Sequence, residues 1–104
     1  IEYAQPLAQE AGMIIIIAEA AYDDLDHIYA WVAKDGGTAA DAVVNRILVS
    51  TKRLGNFPHI RHSGKTAETY EWIVPGLPYV VVYKLQPAYN VVIVVAFFHC
   101  ARDR

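Results

Sequence analysis

Glu71, Tyr83, His99 and Arg102 are the side chains whose types suit metal-free cleavage of a phosphodiester. That reaction needs a base for the 2′-hydroxyl, an acid for the leaving oxygen and a cation for the phosphate. Glu71 and His99 fall on different predicted strands, so their relative facing stays open. His99 reads more readily as a strand terminator that hydrogen-bonds locally, with Arg102–Asp103 as a surface pair. No catalytic assignment is favoured on residue type alone. The polar ending His99, Arg102, Asp103 and Arg104 also suits target binding. Arg102 offers a planar, always-charged fork for carboxylate or phosphate, which Asp103 would orient. A tail this short builds no core, so losing residues 100–104 is expected to leave the fold nearly intact.

Arg46, Lys52, Arg53, Arg61 and Lys65 form a basic run interleaved with His59 and His62. It reads as a solvated helix face or as a contact for acidic protein or DNA phosphate. His59-x-x-His62 has no second ligand pair at matching spacing, so no metal is expected. Cys100 reads as a thiol at a strand end rather than a nucleophile. There is no glycine-rich phosphate loop, and no cofactor is expected.

These residues need a scaffold, and 104 residues supply one domain with a single core. Hydrophobic residues make up 55% of the chain by a count that includes Tyr. This is apolar enough that either the sheet core is rich or a partner covers exposed surface. Net charge is −2 but unevenly spread. Residues 1–41 hold eight acids and one base, whereas residues 42–104 hold three acids and eight bases. The first helix is therefore acidic and the sheet half basic. Near-neutral charge argues against a chain whose whole task is gripping RNA. The lone Cys100 allows no internal disulfide and fits a reducing cytosol. Met13-Ile-Ile-Ile-Ile is too short to span a membrane.

Residues 1–12 show no amphipathic period and are expected to be an extension, with 13–104 the folded domain. Met13 to Ile17 is β-branched and predicts a strand buried on both faces. Tyr22, Leu25, Ile28, Tyr29 and Val32 recur at helical spacing within Glu19–Lys34. Asp35-Gly-Gly breaks that helix. Thr38 is the expected N-cap of a second one, with Asp41 reaching back. Val44, Ile47, Leu48 and Thr51 form its stripe, extended by Leu54, and Gly55 stops it. A polar loop, 59–65, precedes strands at Thr66–Val74, Tyr79–Leu85 and Val91–Phe98. Pro75-Gly76 and Gln86-Pro-Ala-Tyr-Asn90 make the turns. The order is βααβββ, an α+β domain with a helix hairpin on a mainly antiparallel four-stranded sheet. Val44, Ile47, Leu48, Val81, Ile93 and Val95 are the expected core.

Several runs occur together in a specific order. They are Asp24-Leu-x-x-Ile-Tyr-x-Trp-Val-Ala, Arg53-Leu-x-x-Phe-Pro, Gly64, Val74-Pro-Gly-x-Pro-Tyr-x-x-x-Tyr and Phe98-His-x-x-Arg-Asp103. Over Met13 to Asp103 the chain resembles the ParE branch of the RelE/ParE toxin superfamily. That resemblance implies the toxin of a bacterial type II toxin–antitoxin pair, bound and neutralised by an antitoxin from the same operon. ParE-like members poison DNA gyrase, and RelE-like members cut mRNA on the ribosome. Two positions depart from the family. Tyr70 and Ala96 stand where it often carries arginine, which removes cations a ribonuclease would use. The resemblance implies a cytoplasmic gyrase inhibitor that works by binding. A RelE-like ribonuclease and a member that binds antitoxin without poisoning are the alternatives. The antitoxin segment is expected to lie over apolar toxin surface and to carry acids.

Overall fold

The computed structural model describes residues 12–56, 62–63 and 68–102. Most of the expected extension lies outside that range, as do His59, Arg61, Lys65, Asp103, Arg104 and the side chain of His62. The described elements are β1 (Ile14–Ile17), α1 (Glu19–Val32), α2 (Gly37–Lys52), β2 (His62–Ser63), β3 (Tyr70–Ile73), β4 (Tyr79–Gln86) and β5 (Val91–His99). Single 3₁₀ turns follow each helix and join β4 to β5. The sheet order is β1-β5-β4-β3-β2. β1 runs parallel to β5, and every other pairing is antiparallel. The expected α+β architecture holds. The two-residue β2 adds a strand inside the segment read as a polar loop.

The hairpin covers one face of the sheet. Ala21, Leu25, Ile28, Ile47 and Leu54 meet Tyr79, Val81, Tyr83, Val92, Val94 and Phe97 in one buried cluster. On α1 the small Ala21 takes the inward position, and Tyr22 and Tyr29 are pushed to the exposed flank. Tyr29 donates its hydroxyl to the Asp41 carboxylate of α2, and this bond and charge raise its pKa above 10.0. Asp41 therefore ties the two helices together rather than closing a capping box. The expected N-cap Thr38 is also displaced. Gly36 occupies the cap at φ 132°, and α2 begins at Gly37. That backbone angle is open to glycine and strained for threonine.

Ile47 and Val81 are fully buried, as expected. Val44 and Leu48 are half-buried against the same cluster. Ile93 and Val95 are not part of it. The pairing of β4 and β5 slips between Tyr83↔Val94 and Val82↔Ala96, leaving Val95 without a partner. One extra residue reverses the alternation of β5. Val92 and Val94 face the helices before the bulge, and Phe97 and His99 face them after it.

Two glycines mark close approaches. A Cβ on Gly55 would stand 2.7 Å from the Met13 carbonyl oxygen, and the Gly55 carbonyl accepts from Met13 N at 2.7 Å. Gly76 turns β3 into β4 at φ 78° beneath the Arg46 guanidinium, which donates to Pro75 O at 3.0 Å. Gly76→Ala is expected to cost about 1–2 kcal/mol through the left-handed backbone and the displaced arginine. A urea unfolding curve unchanged from the parent would refute this.

Candidate functional site

Pairing register decides which candidate residues share a face, because residues opposite one another in a ladder point the same way. Tyr70 pairs with Tyr83, and Tyr79 with His99, on the helix side. Glu71 pairs with Val82, on the other side. Glu71 is buried there, and Tyr83 is fully buried in the core cluster. A ribonuclease set of Glu71, Tyr83, His99 and Arg102 is therefore split across the sheet. Tyr70 stacks at a tilt on Tyr83, ring centroids 5.9 Å apart. Ala96 lies opposite Val82 on the face away from the helices.

His99 is held at the end of β5. Its ring meets Tyr79 edge-on at 5.3 Å. Its Nδ1 accepts from the backbone N–H of Ala101 at 3.1 Å and of Arg102 at 2.9 Å. Both bonds use the lone pair of Nδ1, the acceptor site of a neutral imidazole. Cys100 N donates to Pro78 O at 2.8 Å and pins the turn to the start of β4. His99→Ala is expected to lower stability by about 1 kcal/mol, the net worth of such bonds. His99→Asn should recover part of it, because Oδ1 can take the place of Nδ1. Equal thermal midpoints for the two variants would show that the acceptor has no role.

The turn delivers Arg102 to α1. Its guanidinium carbon lies 4.3 Å from the centroid of the Trp31 ring, and Lys34 Nζ lies 4.3 Å from the same ring. Both contacts are cation–π contacts to a half-exposed indole. Asp24, His27, Ile28 and Trp31 follow at i, i+3, i+4 and i+7 along one flank of α1. With Phe97 and Arg102 they line a cleft of about 460 Å³.

The cleft exists because β1 stops short. Its last pair is Ile17↔Val94, so among the described strands none continues along the outer edge of β5 beyond that point. Asp24 covers that edge by accepting from Phe97 N at 3.0 Å. Sequence reasoning singled out the tail but not Asp24, Trp31 or Lys34. The signal was present, because Asp24 and Trp31 both sit in the motif run of the first helix at a spacing that puts them on one flank.

Of the basic run, Arg46 is occupied in holding the β3–β4 turn. Lys52 and Arg53 are exposed at the end of α2, away from the cleft residues. Among the described residues no group of three His, Cys, Asp or Glu side chains could hold a metal ion. No helix among them is long and apolar enough to cross a membrane.

Comparison with known proteins fits this geometry. The fold matches the chromosomal ParDE toxin–antitoxin system of P. aeruginosa with a TM-score of 0.77 at 15% identity, covering 86% of this chain and 98% of that one. It matches the RelBE2 toxin–antitoxin complex of Mycobacterium tuberculosis with a TM-score of 0.66 at 11% identity, covering 86% and 93%. In sequence, 61 residues are 33% identical to the candidate toxin Y4kP of Sinorhizobium fredii (strain NBRC 101917 / NGR234). That alignment takes in 59% of this chain and 64% of the relative's length, short of two thirds. The family model for the ParE toxin of the type II toxin–antitoxin system parDE matches residues 15–104, from β1 through the tail. The chain therefore belongs to the ParE toxin family.

Proposed function

We propose that this chain acts as a cytoplasmic toxin by protein–protein contact, with DNA gyrase as its target, and that a cognate antitoxin chain neutralises it. The observation that carries the reading is the division of the candidate ribonuclease residues between two sheet faces. Cleavage needs a base, an acid and a cation around one phosphate. Here Glu71 faces away from Tyr83 and His99, and Nδ1 of His99 is already committed to the backbone. Tyr70 and Ala96 supply no positive charge at the positions where the superfamily often has arginine. What remains at the end of the sheet is a cation laid on an aromatic ring, which is recognition chemistry. The antitoxin reading rests on family membership and on the complexes to which the fold is similar. Apolar surface is available for such a partner, including Ile14, Ile16 and Ile73.

The test is expression without antitoxin, with gyrase supercoiling and mRNA integrity assayed side by side. Supercoiling should fall while mRNA stays intact. Glu71→Gln should leave the inhibition within about twofold. Loss of toxicity in that variant with folding unchanged would favour a ribonuclease. Intact supercoiling and intact mRNA together would favour a member that only binds antitoxin.

A further inference from the structure

Two cations share one indole. Arg102 Cζ and Lys34 Nζ each lie 4.3 Å from the centroid of the Trp31 ring, so the two charges stand no more than twice that distance apart. They come from opposite ends of the fold. Arg102 arrives on the turn after β5, and Lys34 on the 3₁₀ turn Ala33–Asp35 that follows α1. Like charges this close repel, and the ring holds both where free side chains would separate. Lys34 is exposed, and among the described residues the indole is its only partner. The described carboxylates nearby do not offset the pair. Asp24 lies two helical turns before Trp31 and is engaged with Phe97 N. Asp35 follows Lys34 in the chain and forms no ion pair with it. The cleft is therefore polarised along α1, with a carboxylate at one end and two cations on a half-exposed ring at the other.

We propose that the cationic end of this cleft receives an acidic side chain of a partner protein. The carboxylate seats beside Lys34 and Arg102 at the Trp31 ring, and an adjoining apolar side chain lies over the exposed part of the indole. An anion there relieves the repulsion between the two cations, whereas a neutral or basic side chain leaves it in place. The ring and the His99 turn already hold the cations, so little freedom remains to be lost on binding. A half-exposed Trp beside an Arg is also the pairing of residue types that dominates protein interfaces. Charge favours a protein carboxylate over a nucleic acid. α1 carries Glu19, Asp23, Asp24 and Asp26 with no Lys or Arg. A nucleic-acid backbone is charged at every phosphate and would run the next ones against those acids. A single carboxylate reaches the cations without doing so. The proposal deepens the binding-toxin reading and rests on it for taking the partner to be a protein.

The test uses the full chain with Trp72→Phe, so that tryptophan emission reports Trp31 alone, and circular dichroism checks the fold. The probes are acetyl-Asp-Leu-Asp-Leu-Asp-amide, the same peptide with Asn in place of Asp, and a short single-stranded oligothymidine. The acidic peptide should shift Trp31 emission and saturate in the low-millimolar range. The Asn peptide should bind at least about fivefold more weakly. Lys34→Gln should weaken the acidic peptide by about fivefold, and Lys34→Arg should restore most of that loss. Lys84→Gln, exposed on β4 on the face away from the helices, should change nothing. Salt should weaken the acidic peptide and leave the Asn peptide unaffected. Equal binding of the two peptides, no saturable shift with the acidic one, an unaffected Lys34→Gln chain, or tighter binding of the oligothymidine overturns the proposal. None of these outcomes involves gyrase. A chain that prefers the acidic peptide but spares supercoiling keeps this site and loses the target. Inhibited supercoiling without that preference does the reverse.

Discussion

Replacing Arg102 with alanine should weaken target inhibition by about 1–3 kcal/mol, roughly 5- to 150-fold, with little change in the fold. The guanidinium lies against the Trp31 ring at 4.3 Å. The planar, always-charged fork of a guanidinium suits a carboxylate or phosphate on a partner. The His99 turn fixes where the backbone delivers it, so little side-chain entropy remains to be lost on binding. Arg102→Lys should not restore the wild-type value, since an ammonium lacks both the fork and the flat face. Trp31→Ala should act in the same direction, by releasing the cation from its support. The measurement is the concentration of purified chain that halves gyrase supercoiling, read beside the thermal midpoint. Undiminished inhibition by a folded Arg102→Ala chain would remove the tail from the target-binding surface.

The same geometry changes what truncation should do. A free tail could be removed without cost. This one is tied through Cys100 N to Pro78 O, through His99 Nδ1 to two amides, and through Arg102 to Trp31. Deleting residues 100–104 therefore removes part of the cover on α1 as well as the cation. The point substitution separates binding from stability better than the deletion.

What the sequence made legible follows from how each signal is generated. The helices show because a one-sided stripe repeats every 3.6 residues, and Leu25, Ile28 and Ile47 occupy it as read. The strands show as β-branched runs between Gly, Pro and Asn. Strand phase was not legible in β5. All of Val91 to Phe98 is apolar, so no polar residue marks the solvent side, and an alternating reading selected Ile93 and Val95. The core side is fixed by pairing to β4 and by the bulge at Val95, both non-local. For the same reason the relative facing of Glu71, Tyr83 and His99 stays open in the sequence. Their separation is a matter of register, which residue spacing does not carry. Thr38 was the better capping side chain, but the backbone angle at Gly36 decided where α2 starts. The tail was legible as polar residues after a strand. Its partner on α1 was not, because a Trp and an Asp on an amphipathic helix are ordinarily packing and solvation.

Asp24→Ala should destabilise the chain by about 2–3 kcal/mol, near the upper end for loss of a charged acceptor. Its Oδ2 accepts the Phe97 amide at 3.0 Å in a part-buried position. β1 has ended by then, so no described strand takes that N–H. Alanine would leave the donor buried and unpaired, which costs more than the bond itself contributed. It would also loosen α1 from β5 next to Phe97, which is almost fully buried in the core. Asp24→Asn keeps an oxygen acceptor of the same reach and should lose only the charge assistance, about 1 kcal/mol. The ordering Asp, then Asn, then Ala is therefore expected in urea unfolding midpoints. Exchange of the Phe97 amide should quicken in the same order. Asn and Ala variants of equal stability would mean that the carboxylate serves some purpose other than capping the β5 edge. Inhibition should fall with Asp24→Ala even under conditions where the chain is fully folded, because α1 carries the Trp31 on which Arg102 rests.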